Sequence, residues 1–516
     1  MDAHWTQGYV SEITYPHAYI AELNPLRLQL PFLAAGLAVP QIRTACDLGF
    51  GQGLSVNIHA AASGVQWHGN DFIAEQAANA CRLAAESGAD LHLTDESFAD
   101  FFARDDLPDF DFIGMHGVWS WVSADNRALI VDFIRRKLRV GGVVYVGYNT
   151  QPGWAATVPL RELMSYYVQH IAPQDQPLPN RIQGALAFVE QLLSTDPAFA
   201  RANPSIAPLV ASLREQDPHY LAHEYFNSTW QPMSFAEMEQ MLAPAKLGYA
   251  CSAHHDLDRL NLSAQQQALL RGITDPVLRE SARDFCMNQQ FRKDYWVKGA
   301  RRLNAVEHAA ALRALKVVLL TPPVGIAHAV LTPQGEIGLD QALYGPLLGA
   351  LADHMPKTLG QLEQALAGTS FGMAGIVEAM SLLCANGDAA VAQDDAMVAA
   401  VKLQVDRLNM HLLARSLESS EISHLACPLP GGAVALNRLE QMFLCAWLAA
   451  PGSADSLAPQ VWDVLKPQGK RLLHDGQPLL GDAANLAELG RLAQEFVAKH
   501  LPLLRTLRLY PELASA

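Results

Sequence analysis

The sequence lacks several features that would set it apart from ordinary globular proteins. Charged residues make up only 17% of its 516 positions and apolar residues 50%, which excludes intrinsic disorder because a large core can form. Seven cysteines stand singly, without a CxxC pair or the spacing of zinc ligands, so we expect reduced thiols and no metal site. The first residues do not combine a basic start with an apolar run, so we expect no secretory signal, and no apolar run approaches the ~20 residues that span a bilayer. We therefore expect a cytoplasmic protein without a membrane span.

Positive charge is also scarce. The chain has 37 Lys and Arg residues against 52 Asp and Glu residues, which gives a net charge of −15. Binding to nucleic acid needs clustered positive charge, and the group formed by Lys466, Lys470 and Arg471 is too short to provide it. We therefore expect no nucleic-acid partner. A basic ligand or protein partner is compatible with this charge, and the C-terminal region is expected to make a protein or homodimer contact and not to bind DNA.

The length predicts roughly three domains. Short apolar runs alternate with helical stretches between residues 44 and 149, which predicts βαβ units around a parallel sheet. The predicted strands are 44–48, 66–70, 90–93, 110–115 and 142–148, and a helix is predicted at 125–137. The predicted units are an N-terminal helical cap (1–40), an α/β domain (41–160), a helical middle domain (161–302) and a C-terminal helical domain (303–516). Helices at 359–366 and 376–383, followed by a strand pair, would make the last domain winged-helix-like.

A glycine-rich segment follows the first predicted strand and opens a helix. It reads Asp47-Leu-Gly49-Phe-Gly51-Gln-Gly53, and its glycines allow a tight turn with close approach of the backbone to a ligand. A dinucleotide fingerprint would need glycine where Leu54 stands. The order acid-x-Gly-x-Gly-x-Gly is instead typical of proteins that bind S-adenosylmethionine (SAM), whose cationic groups suit the carboxylate of Asp47. A plain strand-to-helix turn is the alternative.

Acidic residues follow the second and third predicted strands. Asp71, with Phe72 beside it, ends the second strand, where doubly wound folds place the carboxylate that binds ribose. Asp95 and Glu96 follow the third strand, where an acid could contact the adenine amino group. Helix capping would also explain acids at these positions. Because the carboxyl ends of parallel strands meet at one edge, we favour a single cofactor site.

Aromatic and polar residues follow the fourth and fifth predicted strands. His116 ends the fourth strand and precedes Trp119 and Trp121, so an imidazole and two indoles could orient an acceptor and hold a cation. Packing of the tryptophans and a structural role for His116 are the alternatives. Tyr148 and Asn149 end the fifth strand and are predicted to lie on the same rim.

Several of these segments carry a family resemblance. They are Asp47-Leu-Gly-Phe-Gly-Gln-Gly, His116-Gly-Val-Trp-Ser-Trp-Val and Tyr148-Asn-Thr-Gln-Pro-Gly-Trp, followed by the segments 223–227, with Trp230 and Pro232, and 280–285, with Asn288, Phe291 and Arg292. Together they resemble bacterial class I SAM-dependent methyltransferases with a methyltransferase regulatory domain, including rickettsial protein lysine methyltransferases. The resemblance implies a Rossmann-like sheet, SAM as cofactor and lysine as acceptor. Asp47 and Phe50 depart from the Glu and Cys that are usual in those lysine methyltransferases. This departure weakens the inference that the chain acts on the same substrate as those enzymes.

Two enzyme functions remain open. The first is N-methylation of lysine side chains on a protein or peptide, with His116 orienting or deprotonating the amine and Tyr148 positioning it. The second is methylation of a small molecule or a short biosynthetic peptide, with the helical domains as a lid. His254, His255 and Asp256 could suggest a metal pair, but adjacent residues point apart, so a solvated or capping role is expected.

Overall fold

The structure is a computed structural model that describes residues 16–227, 229–254, 260–332, 335–474 and 476–511. The strands are β1 (Thr44–Leu48), β2 (Gln66–Asn70), β3 (Leu91–Thr94), β4 (Phe110–His116), β5 (Leu138–Asn149), β6 (Gly248–Ser252), β7 (Phe291–Val297), β8 (Lys316–Leu319), β9 (Ala329–Thr332), β10 (Gly335–Gly338), β11 (Lys357–Thr358), β12 (Ala389–Val391), β13 (His424–Cys427), β14 (Gly432–Ala435), β15 (Leu473–His474) and β16 (Gln477–Pro478).

The α-helices are α1 (Gln29–Ala34), α2 (Leu54–Ala62), α3 (Ala74–Ser87), α4 (Phe98–Ala103), α5 (Ala124–Lys137), α6 (Val158–Tyr166), α7 (Leu178–Leu193), α8 (Ala198–Ala202), α9 (Ile206–Arg214), α10 (Pro218–Tyr225), α11 (Phe235–Leu242), α12 (Ala264–Gly272), α13 (Pro276–Met287), α14 (Ala305–Ala314), α15 (Gln341–Leu351), α16 (Leu359–Ala365), α17 (Met373–Asn386), α18 (Asp395–Ser416), α19 (Arg438–Ala449), α20 (Ala454–Leu465), α21 (Asp482–Glu495) and α22 (Leu501–Thr506). None of the described helices is both long and apolar enough to cross a bilayer.

Seven strands form the central sheet in the order β3-β2-β1-β4-β5-β7-β6. The first five run parallel, whereas β7 pairs antiparallel with β5, and β6 pairs antiparallel with β7. All residues of β1 and the second half of β5 are buried, as expected for strands covered on both faces. The mixed α/β class and the Rossmann-like sheet expected from the sequence are confirmed.

The five predicted strands are confirmed, with shifts at their ends. β1 and β2 have the predicted bounds, whereas β5 begins four residues earlier, at Leu138, and ends at Asn149. The helix predicted at 125–137 is α5, which Ser123 caps by accepting a hydrogen bond from the N–H of Asn126. The βαβ pattern was therefore a sound guide to the elements that build the parallel part of the sheet.

The strands β6 and β7 were not expected, because they lie in the region predicted to be helical. β7 contains Arg292, Lys293 and Asp294, which interrupt the apolar pattern of a central strand. Arg292 and Asp294 are nevertheless only 5% and 1% exposed. Residues 248–297 thus complete the central sheet, and the sheet extends beyond the range 41–160.

The region expected to be an N-terminal helical cap is mostly irregular in its described part. Between residues 16 and 40 the structure has a 3-10 turn at Ala21–Leu23 and the short helix α1. We call residues 16–24 the N-terminal strap. Its Ile20 N–H donates to Ser55 Oγ on α2 at 2.8 Å, and that hydroxyl donates to a strap carbonyl at 3.1 Å. The strap therefore lies against the start of α2.

The C-terminal helices pack against the back of the central domain. α18 contacts α2 and α3, and Gln393 donates a hydrogen bond to the carbonyl of Ala62 at 2.8 Å. The helix pair α16 and α17 agrees with the sequence expectation, but β12 is followed by α18 and not by a second strand. In the small sheet β11-β8-β12, the strand beside β12 is β8, which precedes the helix pair in the chain. The predicted winged-helix order is not confirmed.

Candidate functional site

A cavity opens at the carboxyl edge of the central sheet, where ligands of α/β proteins bind. The strap, the glycine turn after β1, the end of β2, the start of α4 and the segment after β4 form its walls. Among its lining residues are Ile20, Leu23, Asp47, Gly49, Gly51, Gly53, Asn70, Asp71, Phe72, Ser97, Phe98, His116 and Trp121. The structure thus brings together most of the residues that the sequence assigned to one site.

The glycine turn is shaped by left-handed backbone at three positions. Gly49, Gly51 and Gly53 have φ values of 74°, 58° and 73°, which residues with a side chain rarely adopt. A Cβ on Gly53 would lie 2.3 Å from the Cβ of Ala80, and one on Gly49 would lie 2.6 Å from a methyl group of Val118. The turn therefore favours glycine at all three positions and excludes side chains at Gly49 and Gly53, and it leaves its backbone open to a ligand.

Two carboxyl groups lie in the cavity without a basic partner in the described chain. Asp47 and Asp71 are 2% and 7% exposed. Burial, together with the nearby Asp71, raises the pKa of Asp47 to about 7. Burial raises the pKa of Asp71 to about 6, although hydrogen bonds from the N–H groups of Gly51 (2.8 Å) and Ile73 (3.0 Å) oppose this rise. Such a pair is suited to a ligand that brings positive charge and hydroxyl donors.

These residues fit SAM. Its ammonium and sulfonium groups would complement Asp47, and its ribose hydroxyls would donate to Asp71 at the end of β2, the usual ribose position of doubly wound sheets. The open glycine backbone accommodates close approach of the ligand. Within the described residues no group of three His, Cys, Asp or Glu side chains could hold a metal ion, while His255 and Asp256 lie outside those residues.

Asp95 and Glu96 do not line the cavity, in contrast to the sequence expectation. Asp95 is exposed, and the carboxylate of Glu96 pairs with Arg104 at 3.3 Å. The chain turns into α4 directly after them, with Ser97 as the N-cap that accepts from the N–H of Asp100. Ser97 and Phe98 line the cavity in their place. The capping serine is the sequence signal that could have located this turn.

His116 lines the cavity at the end of β4. Its Nδ1 lies 2.7 Å from the hydroxyl of Tyr145 on β5, within a hydrogen bond. Burial lowers the pKa of His116 to about 4, so the ring is neutral near pH 7. Gly147, paired with His116 across the strands, leaves this space free, because a Cβ there would lie 2.8 Å from Nδ1.

Tyr148 and Asn149 do not reach the cavity, and their predicted position on its rim is wrong. Consecutive residues of a strand point to opposite faces, so Tyr148 faces away from the side that Tyr145 shares with His116. Tyr148 is fully buried and donates a hydrogen bond to Asp294 at 3.0 Å. Asn149 is 2% exposed, and its backbone N–H donates to the hydroxyl of Ser120.

The two tryptophans after β4 differ in position. Trp119 is fully buried, and its indole N–H points to the sulfur of Met233 at 3.3 Å, so it packs in the core and does not line the cavity. Trp121 lines the cavity. Its ring lies 6.0 Å from that of Trp230, over which the guanidinium of Arg161 stands at 4.5 Å.

The N-terminal segment, which the sequence predicts to be a helical cap, contributes to the cavity as the strap. Pro16, Ala18, Ile20 and Leu23 form one wall of the cavity. Helical periodicity gave no indication of this wall, because the regular structure of the strap is limited to the 3-10 turn at Ala21–Leu23 and hydrogen bonds to side chains of α2 hold the strap in place.

The sheet order with an antiparallel seventh strand, the glycine turn and the acid after β2 define a class I SAM-dependent methyltransferase. Residues 217–298 match the family described as a predicted methyltransferase regulatory domain. The chain is 38% identical to the uncharacterized protein sll1526 of Synechocystis over 511 residues, which cover 98% of this chain and 99% of that protein. The chain belongs to the same family as sll1526.

The fold is shared with PKMT2 from Rickettsia typhi, whose structure was solved in complex with AdoHcy. The TM-score is 0.68 at 18% sequence identity, over 96% of this chain and 99% of that one. The uncharacterized protein RP789 of Rickettsia prowazekii is 26% identical over 54% of this chain and 51% of its own length. AdoHcy is the form that SAM takes after losing its methyl group, and SAM is the cofactor of this class.

Proposed function

We propose that this chain transfers the methyl group of SAM to lysine side-chain amines of a protein substrate. The observation that carries the proposal is the indole pair beside the cavity. Trp121 lines the cavity, and Arg161 stands 5.8 Å from its ring centre and 4.5 Å from that of Trp230. These rings thus hold a cation against their faces, the mode of contact by which aromatic walls recognise alkylammonium groups. The motifs that resemble rickettsial protein lysine methyltransferases, and the fold shared with PKMT2, support the same substrate class.

The residues of the chain would prepare the amine for attack. A lysine ammonium has an ordinary pKa of about 10.4, and an apolar, aromatic surrounding lowers that pKa by disfavouring the charge. Trp121 supplies such a surface, while the neutral ring of His116 provides a polar contact on the same cavity. Bound SAM supplies a methyl group that an amine takes up by direct displacement. Positioning of the amine is thus the main contribution of the chain.

The proposal is tested with purified protein, SAM carrying a labelled methyl group, and a cell lysate. We expect label in acid-precipitable protein and methyl-lysine in its peptides by mass spectrometry. The Asp71→Asn variant is the control for labelling by other enzymes. Label confined to the acid-soluble fraction would contradict the proposal and would favour the alternative, a small molecule or a short biosynthetic peptide.

Homodimer formation and a cytoplasmic location stay predictions from the sequence. Light scattering on the purified chain measures the first, because a dimer would have twice the 56.1 kDa mass of the chain. Fractionation of the producing cells measures the second.

A further inference from the structure

We propose that Tyr145 is a positioning residue that fixes His116 in the tautomer protonated at Nε2, so that the imidazole presents a hydrogen-bond donor to the cofactor cavity. The sequence assigned His116 as orienter or base, whereas this arrangement allows only the first role. The proposal rests on the cofactor cavity and holds whether or not lysine is the acceptor.

The direction of the hydrogen bond between the two side chains follows from the burial of Tyr145. Its hydroxyl is fully buried, and the 2.7 Å contact with Nδ1 of His116 is its one hydrogen bond within the described residues. If Nδ1 carried the proton, the phenol O–H would be left buried without an acceptor. An unsatisfied buried donor costs free energy, so the tautomer protonated at Nε2 is populated about tenfold or more above the one protonated at Nδ1. The phenol therefore donates to Nδ1, and the ring proton resides on Nε2.

The opposite edge of the ring faces the cavity. His116 is a lining residue, and in the described chain Nε2 has no hydrogen-bond partner. Phe291 packs edge-on against the ring with centroids 5.4 Å apart, which restricts its rotation. Nε2–H is thus directed to whatever occupies the cavity.

Strand register makes the contact possible. His116 pairs with Gly147, and Tyr145, two residues earlier on the same strand, projects from the same face. A Cβ at position 147 would lie 2.8 Å from Nδ1 and 3.2 Å from the hydroxyl of Tyr145, so glycine keeps their approach open. The bond therefore depends on three positions of two adjacent strands.

The charged groups beside the ring leave it neutral. Glu22 on the strap and Lys293 on β7 form an ion pair at 2.8 Å. Glu22 raises the pKa of His116 and Lys293 lowers it, so the two effects oppose each other. A neutral ring has one N–H and one acceptor nitrogen, and Tyr145 occupies the acceptor. The ligand of Nε2–H must accordingly offer a lone pair, which either the carboxylate of the cofactor or a group of the methyl acceptor can do.

The tautomer can be measured without any activity. The full-length chain is labelled with ¹⁵N-histidine, saturated with AdoHcy, and the two-bond nitrogen–proton couplings are recorded, with His116→Gln identifying the His116 signals. We expect the Nε2–H pattern in the native chain and a mixed or Nδ1–H pattern in Tyr145→Phe. Tyr295→Phe is the matched control, since its hydroxyl is also buried but donates to the carbonyl of Glu22. An Nδ1–H pattern in the native chain would overturn the proposal.

The methylation rates of His116 variants distinguish a hydrogen-bond donor from a general base at this position. The side-chain amide of glutamine places an N–H donor near the position of Nε2, so His116→Gln should keep methyl incorporation within about tenfold of the native rate. A loss of about 10²- to 10⁴-fold, equal to that of His116→Ala, would assign a proton-accepting role and overturn the proposal.

Calorimetry on His116→Ala identifies the ligand group. Weaker AdoHcy binding with unchanged binding of 5′-methylthioadenosine places the donor on the cofactor carboxylate, and unchanged binding of both places it on the acceptor.

Discussion

Two groups of buried carboxylates lie on the same central sheet and differ in what neutralises them. In the cavity, Asp47 and Asp71 have no cationic partner in the described chain, and burial raises the pKa of both. Around β7, Arg292 donates to Asp294 at 2.8 Å, to Asp284 at 2.6 Å and to Glu280 at 3.1 Å. The first group faces an opening, whereas the second is closed within the protein.

The difference distinguishes a ligand site from a structural one. Both groups contain residues of recognisable motifs, and no sequence pattern distinguishes one group from the other. A buried charge whose counter-charge comes from the chain stabilises the fold only as long as the partner remains, whereas an unpaired one is ready for a ligand that brings the counter-charge. Tyr148, which donates to Asp294, belongs to the closed group, and this explains why it does not serve the cavity.

The largest expected effect concerns the closed group. Arg292→Leu would leave Asp294 and Asp284 buried without their cation, while Glu280 would keep its pair with Arg283 at 3.6 Å, and we expect the free energy of unfolding to fall by about 3–5 kcal/mol. Urea denaturation at pH 8 followed by circular dichroism measures this loss. The control is Arg301→Leu, which removes an exposed pair with Glu307 and should cost less than about 1 kcal/mol. Equal losses in the two variants would contradict the distinction.

Substitution in the cavity pair Asp47 and Asp71 should reduce ligand affinity more than it reduces stability. Asp71→Asn removes a charge that no basic side chain of the described protein neutralises, but its amide can accept from only one of the N–H groups of Gly51 and Ile73, so we expect the free energy of unfolding to fall by about 1–2 kcal/mol, less than in Arg292→Leu. Affinity for AdoHcy should fall by about 10- to 100-fold, because hydrogen bonds to a charged acceptor contribute about 1.5–3 kcal/mol. Isothermal titration calorimetry measures the affinity. Loss of stability with retained affinity would assign Asp71 to the structural class.

The raised pKa values predict a pH dependence with a defined sign. The folded pKa values of Asp47, about 7, and Asp71, about 6, exceed their unfolded values, so their contribution to stability without ligand is present at low pH and lost as pH rises to about 7. The ammonium group of AdoHcy favours the ionised forms of these carboxyl groups, so AdoHcy should bind more tightly as pH rises from 5 to 7 and should release protons. Calorimetry in buffers of different ionisation enthalpy measures the release, which Asp47→Asn should reduce. Affinity independent of pH between 5 and 8 would refute this assignment.

The sequence allowed much of the parallel sheet and the centre of the site to be predicted. Local patterns suffice where a buried strand runs into a glycine turn, and Asp47 and Asp71 line one cavity because the carboxyl ends of parallel strands converge. Tyr148 could not be placed, since one position along a strand reverses the face of a side chain and the register is set by pairing with β7. β7 itself was missed because its charges are neutralised only by residues distant in the sequence.

The smallest expected effect tests an acid that the sequence and the structure place differently. Asp95 follows its strand as Asp71 does, yet it is exposed and outside the cavity. Asp95→Asn removes the same formal charge as Asp71→Asn from a neighbouring strand end, so it is the matched control for the change in net charge of the chain. Because solvent screens an exposed charge, we expect AdoHcy affinity within about twofold of the native value, measured by calorimetry at physiological salt. A loss as large as that of Asp71→Asn would mean that the segment after β3 closes onto the ligand, which would restore the role that the sequence predicted for this acid.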